Sequence, residues 1–185
     1  MAKELQEREN IANKYKWKLS DIYNDISEWE KDYKSVEKLL TKIENYKGKI
    51  SKSANKLLEV IKVIMKARKK INKLYAYAHM KSDEDTRKQK YQALHNRAQY
   101  INNQVDNKSS FLIPELLKLE EGKIDEYKNE VPELKEYDHY LDDILRKKDH
   151  FLSAAEEKIL AMANDITQGP ENIFSILNNA DLKFP

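Results

Sequence analysis

Cysteine is absent from the 185-residue chain, which excludes disulfide bonds and thiolate metal ligands. Glycine occurs 3 times and proline 4 times, so the chain has few of the residues that form the tight turns of sheet proteins. No apolar run approaches the roughly 20 residues that span a bilayer, and the N-terminal stretch MAKELQEREN lacks the apolar segment of a signal peptide. These absences predict a helical, cytoplasmic protein with no membrane partner.

An excess of charge of one sign is also missing. The chain has 34 basic and 32 acidic residues, and its basic runs lie beside acidic ones, as in SDEDTRKQK (82–90). Proteins that bind nucleic acids usually show a basic excess or a basic stripe. The sequence therefore predicts no nucleic-acid partner, and its balanced charges are typical of solvated helix faces.

The first long helix is indicated by apolar residues that recur every three or four positions. Its stripe consists of Trp29, Tyr33, Val36, Leu40, Ile43 and Tyr46. Ser27 and Glu30 have the spacing of a capping box, in which a hydroxyl and a carboxylate bind the free N–H groups at a helix start. Gly48 is a typical residue at which a helix stops.

Two longer helices follow, joined by the short polar segment KSDED (81–85). The second helix opens near Ser51 or Ser53, and the third runs from about Asp83 to beyond Asn103. A short link between long helices implies an antiparallel hairpin. The predicted inward residues are Leu57, Ile61, Ile64, Ile71, Leu74 and Ala78 on the second helix and Tyr91, Leu94, Ala98, Ile101 and Val105 on the third.

Shorter helices are predicted after Pro114 and Pro132, which break the chain. One spans 132–146, the capping pattern SAAE (153–156) opens another, and Gly169-Pro170 starts the last. The inward residues of the helix over 132–146 are Leu134, Tyr137, Leu141 and Ile144.

The predicted fold class is all-α: a bundle of long antiparallel helices with shorter C-terminal helices, ending at the start of a strand segment. We divide the chain into an N-terminal arm (1–26), a helical lobe (27–180) and the start of a strand (181–185). The last segment, DLKFP, has the character of a strand that begins without a partner. This ending predicts that the chain is the front part of a larger protein.

The four histidines do not form a zinc-protease motif. Such a site uses His-Glu-x-x-His, because residues four apart on a helix face one metal ion. None of His79, His95, His139 and His150 is followed by Glu, and no two are four apart. We therefore assign no catalytic, cofactor-binding or metal-binding residue within the chain.

Two weaker histidine patterns remain open. His79 lies four residues before Asp83, and His139 lies four residues before Asp143, so either pair would supply two metal ligands. Their ordinary interpretation is helix pairing or capping. His150, just before a predicted helix, is interpreted as a loop or capping residue.

Tyrosine is abundant, with 11 residues. Tyr75 and Tyr77, in LYAYAHM, point to different faces of their helix, so at least one of them is not a simple core residue. A buried tyrosine packs its ring while its hydroxyl needs a partner, and an exposed one is able to stack on a peptide. Packing and peptide contact both remain open for the pair.

A resemblance to a known family rests on four stretches taken together. They are YKWKLSDIYNDISEWEKD (15–32), KLYAYAHMKSDEDTRKQKYQAL (73–94), PELKEYDHYLDDILRKKDHFLSAAEEKIL (132–160) and FSILNNADLKFP (174–185). In this order they resemble the N-terminal region of oligoendopeptidase F, a cytosolic zinc metallopeptidase related to thimet oligopeptidase. The resemblance covers nearly the whole chain without large gaps.

The resemblance implies an enzyme whose two halves enclose a deep channel, with the N-terminal helices as one wall. It also implies that zinc is bound in the other half by a His-Glu-x-x-His motif and a downstream Glu, which this chain lacks. We therefore expect this chain to be inactive alone, with the catalytic half as its partner and short peptides as substrates of the whole enzyme. Tyr75, Tyr77 and His79 are the candidates for lining the channel.

A second hypothesis is a free-standing helical interaction module. Two long amphipathic helices are able to bind a helix of another protein or a second copy of the chain. An apolar face left without its partner half would also recruit other proteins.

Overall fold

The computed structural model describes residues 8–148 and scattered positions between 156 and 178. Its α-helices are α1 (Ile26–Glu44), α2 (Ala54–Glu84), α3 (Gln89–Ser109), α4 (Leu112–Leu117), α5 (Lys123–Glu130) and α6 (Asp138–Arg146). Short 3-10 helices occupy Arg8–Asn10, Asn13–Tyr15, Leu19–Asp21, Ile50–Lys52 and Pro132–Tyr137. The all-α prediction is confirmed.

Three predictions lie outside the described residues. These are the capping residue at Ser153, the role of His150 and the strand at 181–185. Within the part of the chain that the structure describes, no helix is both long enough and apolar enough to cross a membrane.

The cap of α1 is Asp25, and the predicted capping box of Ser27 and Glu30 is wrong. The Asp25 carboxylate accepts hydrogen bonds from the backbone N–H of Glu28 at 3.0 Å and from the Ser27 hydroxyl at 2.6 Å. The Glu28 carboxylate in turn accepts the backbone N–H of Asn24 at 3.0 Å. Asp25 and Glu28 therefore have the same spacing as the predicted pair, and Asp is as good a cap as Ser.

The antiparallel hairpin consists of α2 and α3, joined by a turn at 85–88. Arg68 forms an ion pair with Asp106 at 3.0 Å, far from the turn, and the Lys81 ammonium lies 5.5 Å from the Tyr91 ring, close to it. In both pairs the two residues lie at similar distances along the chain from the turn, one on each helix. This arrangement is expected for two antiparallel helices. Ser53 is the N-cap of α2, and its side chain accepts a hydrogen bond from the backbone N–H of Lys56. It is one of the two serines predicted to open this helix.

The predicted boundary between these helices is wrong by several residues, because α2 continues to Glu84 and α3 begins at Gln89. The side chain of Glu84 is only 7% exposed and is paired with Arg8 of the arm and with Lys81 at 3.0 Å. These ion pairs stabilise the last turn of α2, whose polar sequence resembles a loop. The arm is thereby fixed to the tip of the hairpin.

The core lies between α1, α2 and α3 and follows the predicted stripes closely. All six predicted inward residues of α2 are buried, as are those of α3 except Tyr91, which is half-buried. On α1, Leu39 is buried in place of the predicted Leu40, which is half-buried against the core. Tyr46, the last residue of the predicted stripe, lies beyond the end of α1 and is also half-buried against the core. Trp29, the first residue of the α1 stripe, is fully buried.

The helix predicted over 132–146 is divided into a 3-10 segment (Pro132–Tyr137) and α6. Leu134, Leu141 and Ile144 are buried as predicted, and Tyr137 is half-buried. The long helix α3 ends at Ser109 and shorter helices follow, as predicted. Pro114 itself lies in the first turn of α4, where a backbone N–H has no partner within the helix.

Lys128 connects α5 to α6. Its side chain is 11% exposed, and its ammonium lies 2.8 Å from Asp138, 3.0 Å from Asp142 and 3.8 Å from Asp125. The contact with Asp142 is a hydrogen bond, whereas the contact with Asp138 is an ion pair without that alignment. Burial by itself lowers the pKa of Lys128, but the carboxylates of Asp138 and Asp142 outweigh it and raise the pKa above its ordinary value.

Candidate functional site

The three candidate residues for peptide contact lie on α2 in different surroundings. Tyr77 is 3% exposed and packs edge-on against Tyr23 of the arm, with ring centroids 5.4 Å apart. It therefore offers no surface to a peptide in this chain. Tyr75 is half-buried, and the His79 side chain is 46% exposed.

Tyr75 and His79 meet His95 of α3 to form an aromatic group that we call the histidine–tyrosine cluster. The ring centroids lie 5.6 Å apart for Tyr75 and His79, 5.1 Å for Tyr75 and His95, and 4.9 Å for the two histidines. The cluster bridges the hairpin close to its tip. Sequence reasoning missed His95, although counting outward from the α2–α3 turn places it opposite His79.

The predicted pairing of His79 with Asp83 is present. His79 Nδ1 lies 2.8 Å from the Asp83 carboxylate, four residues further along α2. The corresponding pairing of His139 with Asp143 is not found in α6, where Asp143 pairs with two other residues. There the Asp143 carboxylate accepts hydrogen bonds from Arg146 at 2.6 Å and from Lys147 at 2.5 Å.

His95 is the part of the cluster that is sensitive to charge. Its Nε2 is buried and has no hydrogen-bond partner among the residues that the structure describes. Burial lowers the pKa of His95 below its ordinary value, the adjacent His79 lowers it further, and Asp83 opposes both. The folded protein therefore favours the neutral imidazole at this position.

We expect this imidazole to make the stability of the protein depend on pH. Because the pKa of His95 is lower in the folded chain than in the unfolded chain, protonation favours unfolding. Its stabilising contribution is complete above the unfolded pKa of about 6.5 and is lost as the pH falls towards the folded pKa. Urea unfolding between pH 7.5 and 5.5 should show this decline in the wild type and a smaller decline in His95→Leu.

The matched control is His139→Leu, because His139 is exposed on α6. That variant should keep the pH dependence of the wild type. If His95→Leu and His139→Leu give the same pH dependence, the buried imidazole is not its source.

The described residues do not fit a zinc ion. Over residues 8–148 and the described positions beyond them, no group of three or more His, Asp or Glu side chains is arranged to hold a metal. Asp83 acts on both His79 and His95, and its carboxylate is already paired with His79. At the surface the cluster presents the half-buried Tyr75 ring and the exposed imidazole of His79.

Comparisons with known proteins place the whole chain alongside peptidases. A family model described as Oligopeptidase F matches residues 115–184. Oligopeptidase PepF of Bacillus subtilis (strain 168) is 36% identical over 184 residues, which is 100% of this chain and 28% of that protein. An oligoendopeptidase F homolog of Lactococcus lactis subsp. lactis is 35% identical over 96% of this chain and 30% of that protein.

The fold leads to the same group of proteins. The crystal structure of oligoendopeptidase-F from Enterococcus faecium matches with a TM-score of 0.78 and 35% identity, covering 86% of this chain and 30% of that one. This chain thus spans less than a third of the length of each of these relatives. Its predicted resemblance to the N-terminal region of oligoendopeptidase F is confirmed along nearly the whole chain.

Proposed function

We propose that this chain is the non-catalytic N-terminal lobe of an oligoendopeptidase F-like zinc metalloendopeptidase that hydrolyses short peptides in the cytoplasm. The observation that carries the proposal is the pattern of coverage. Relatives named as oligopeptidases match all or nearly all of this chain, but over only 28–30% of their own length. The rest of that length has room for a zinc-binding His-Glu-x-x-His, which this sequence lacks.

In this proposal the helices form one wall of the substrate channel. An enclosed channel excludes folded proteins and limits the access of water to the reaction. We assign peptide contact to the surface part of the histidine–tyrosine cluster. The Tyr75 ring offers an apolar face to a peptide side chain, and the Asp83 contact at Nδ1 leaves Nε2 of His79 for a peptide carbonyl or amide.

A chimera tests the proposal. This chain is joined to the part of Bacillus subtilis oligopeptidase PepF that follows its matched 184 residues. We expect the chimera to cleave a short internally quenched fluorogenic peptide, to lose that activity in a chelator and to regain it with zinc. This chain alone and the Bacillus subtilis part alone serve as controls and should both be inactive.

Circular dichroism and metal analysis of the chimera are needed beside the assay. A chimera that is helical yet neither binds zinc nor cleaves the peptide contradicts the proposal. So does this chain alone, if it retains stoichiometric zinc and hydrolyses an amide bond.

The second candidate function is a helical module that associates with itself or with a helix of another protein. It is favoured by large apolar side chains exposed near the C-terminal end, such as Phe174, which is 66% exposed. Light scattering over a range of concentrations decides the first form of this hypothesis. A monomer at every concentration argues against self-association.

A further inference from the structure

Three large apolar side chains are exposed together in the C-terminal part of the chain. Ile173 is 68% exposed, Phe174 66% and Leu177 45%, and all three are in helical conformation. Leu177 follows Ile173 by four positions and Phe174 by three, which is the spacing at which side chains in helical conformation lie on the same side. We call this surface the 173–177 face.

The remainder of the described chain does not leave apolar stripes in water. In α1, α2 and α3 the residues that recur every three or four positions are buried in a common core. The large apolar side chains exposed elsewhere among the described residues are Tyr15, Trp17, Tyr100, Leu145 and Ile159. Three of these five carry a polar group suited to water, and single exposed apolar residues are ordinary in soluble proteins.

The 173–177 face also has the chemistry of the centre of an interface. Its three side chains carry no polar atom, whereas the neighbouring Glu171 is exposed and charged. Apolar centres with a polar rim are typical of surfaces that another protein body covers. The fitting partner surface is therefore apolar and uncharged.

The extent of the relatives indicates what covers the face. The family model that matches this chain runs over 115–184 and so includes the 173–177 face. The relatives that match the whole chain contain more than twice its length of further sequence, since this chain spans 28–30% of each. We propose that the 173–177 face is the surface on which the remaining part of an oligoendopeptidase F-like protein packs against this lobe. This inference rests on the proposed function.

Thiol labelling tests the contact directly, because the chain has no cysteine of its own. Phe174→Cys introduces a thiol on the face, and Tyr100→Cys introduces one at a 60% exposed position on α3. Each variant is reacted with a maleimide, both in this chain alone and in the chimera with Bacillus subtilis PepF. Mass spectrometry of the peptide that carries the new cysteine gives the labelling rate.

We expect the thiol of Phe174→Cys to react about tenfold or more slowly in the chimera than in this chain alone, because a packed interface must open before it reacts. The thiol of Tyr100→Cys should react at a similar rate in both proteins. Equal rates for Phe174→Cys in both proteins overturn the inference. Protection that appears in this chain alone and grows with concentration also overturns it, because a second copy is then the occupant.

A charge variant gives an independent reading. Phe174→Asp should leave the melting temperature of this chain alone unchanged, since the side chain is exposed there, and should lower that of the chimera. Tyr100→Asp is the matched control and should leave the melting temperatures of both this chain alone and the chimera unchanged. If the chimera is active and the thiol of Phe174→Cys is still labelled freely, this inference is overturned while the proposed function stands. An inactive, zinc-free chimera with a protected thiol contradicts the proposed function and supports the contact.

Discussion

Trp29→Ala should lower the free energy of unfolding by about 3–5 kcal/mol, as expected for removing a fully buried tryptophan. The Trp29 side chain is 0% exposed, and its indole N–H donates to the carbonyl of Leu74 in α2 at 3.0 Å. Its ring stacks on Tyr33 at 5.1 Å, and the Arg97 guanidinium of α3 lies 5.0 Å from it. Alanine would therefore remove contacts to all three long helices and leave a carbonyl without its partner. Urea unfolding followed by circular dichroism measures the loss.

Trp17→Ala is the matched control, because Trp17 is the other of the 2 tryptophans and is 51% exposed. Its substitution should change stability by no more than about 0.5 kcal/mol, as surface substitutions usually do. The same variant leaves Trp29 as the single tryptophan, so tryptophan emission, excited selectively over the 11 tyrosines, reports on the core during unfolding. Comparable losses for the two variants would show that Trp29 does not hold the long helices together.

Lys128→Ala should destabilise the junction of α5 and α6 by about 1–3 kcal/mol, the range for a hydrogen-bonded charged group. The substitution removes the cation that Asp125, Asp138 and Asp142 share and leaves their negative charges close together. The loss stays below that of a deeply buried ion pair, because the carboxylates are half or more exposed and are able to turn towards water. Thermal unfolding of the variant measures it.

Lys128→Met separates charge from packing, since methionine keeps most of the aliphatic chain. If the charge is what matters, Lys128→Met should be nearly as unstable as Lys128→Ala. Lys135→Met is the control, because Lys135 is an exposed lysine in the adjacent 3-10 segment. A wild-type melting temperature for Lys128→Met contradicts the role given to the ammonium.

Helix faces could be predicted from the sequence because periodicity is a property of the helix itself. The inward stripe of α2, from Leu57 to Ala78, is buried at every predicted position. Helix ends were predicted less well, since they depend on contacts with distant residues. Nothing near Glu84 in the sequence shows that Arg8 pairs with it and stabilises the last turn of α2.

In the candidate site, too, helix faces could be predicted from the sequence, whereas contacts between distant residues could not. The spacing of Tyr75 and Tyr77 correctly placed them on different faces, but it could not say which ring is buried. That depends on Tyr23, which packs from the arm against Tyr77. His95 was missed because its position opposite His79 depends on where the turn lies, and the turn was predicted several residues too early.

The length of α2 determines where the histidine–tyrosine cluster sits. Helix α2 has 31 residues and contains neither glycine nor proline, so it is a rod of about 46 Å without the usual sites for a kink. Tyr127 anchors the region before its first turn by donating to the carbonyl of Ser51, while the cluster lies near the far end. A bend of 10° at the middle of the rod would displace its tip by about 4 Å, more than the reach of one hydrogen bond. The stiffness of a single uninterrupted helix therefore sets how accurately this surface can be presented to anything that approaches it.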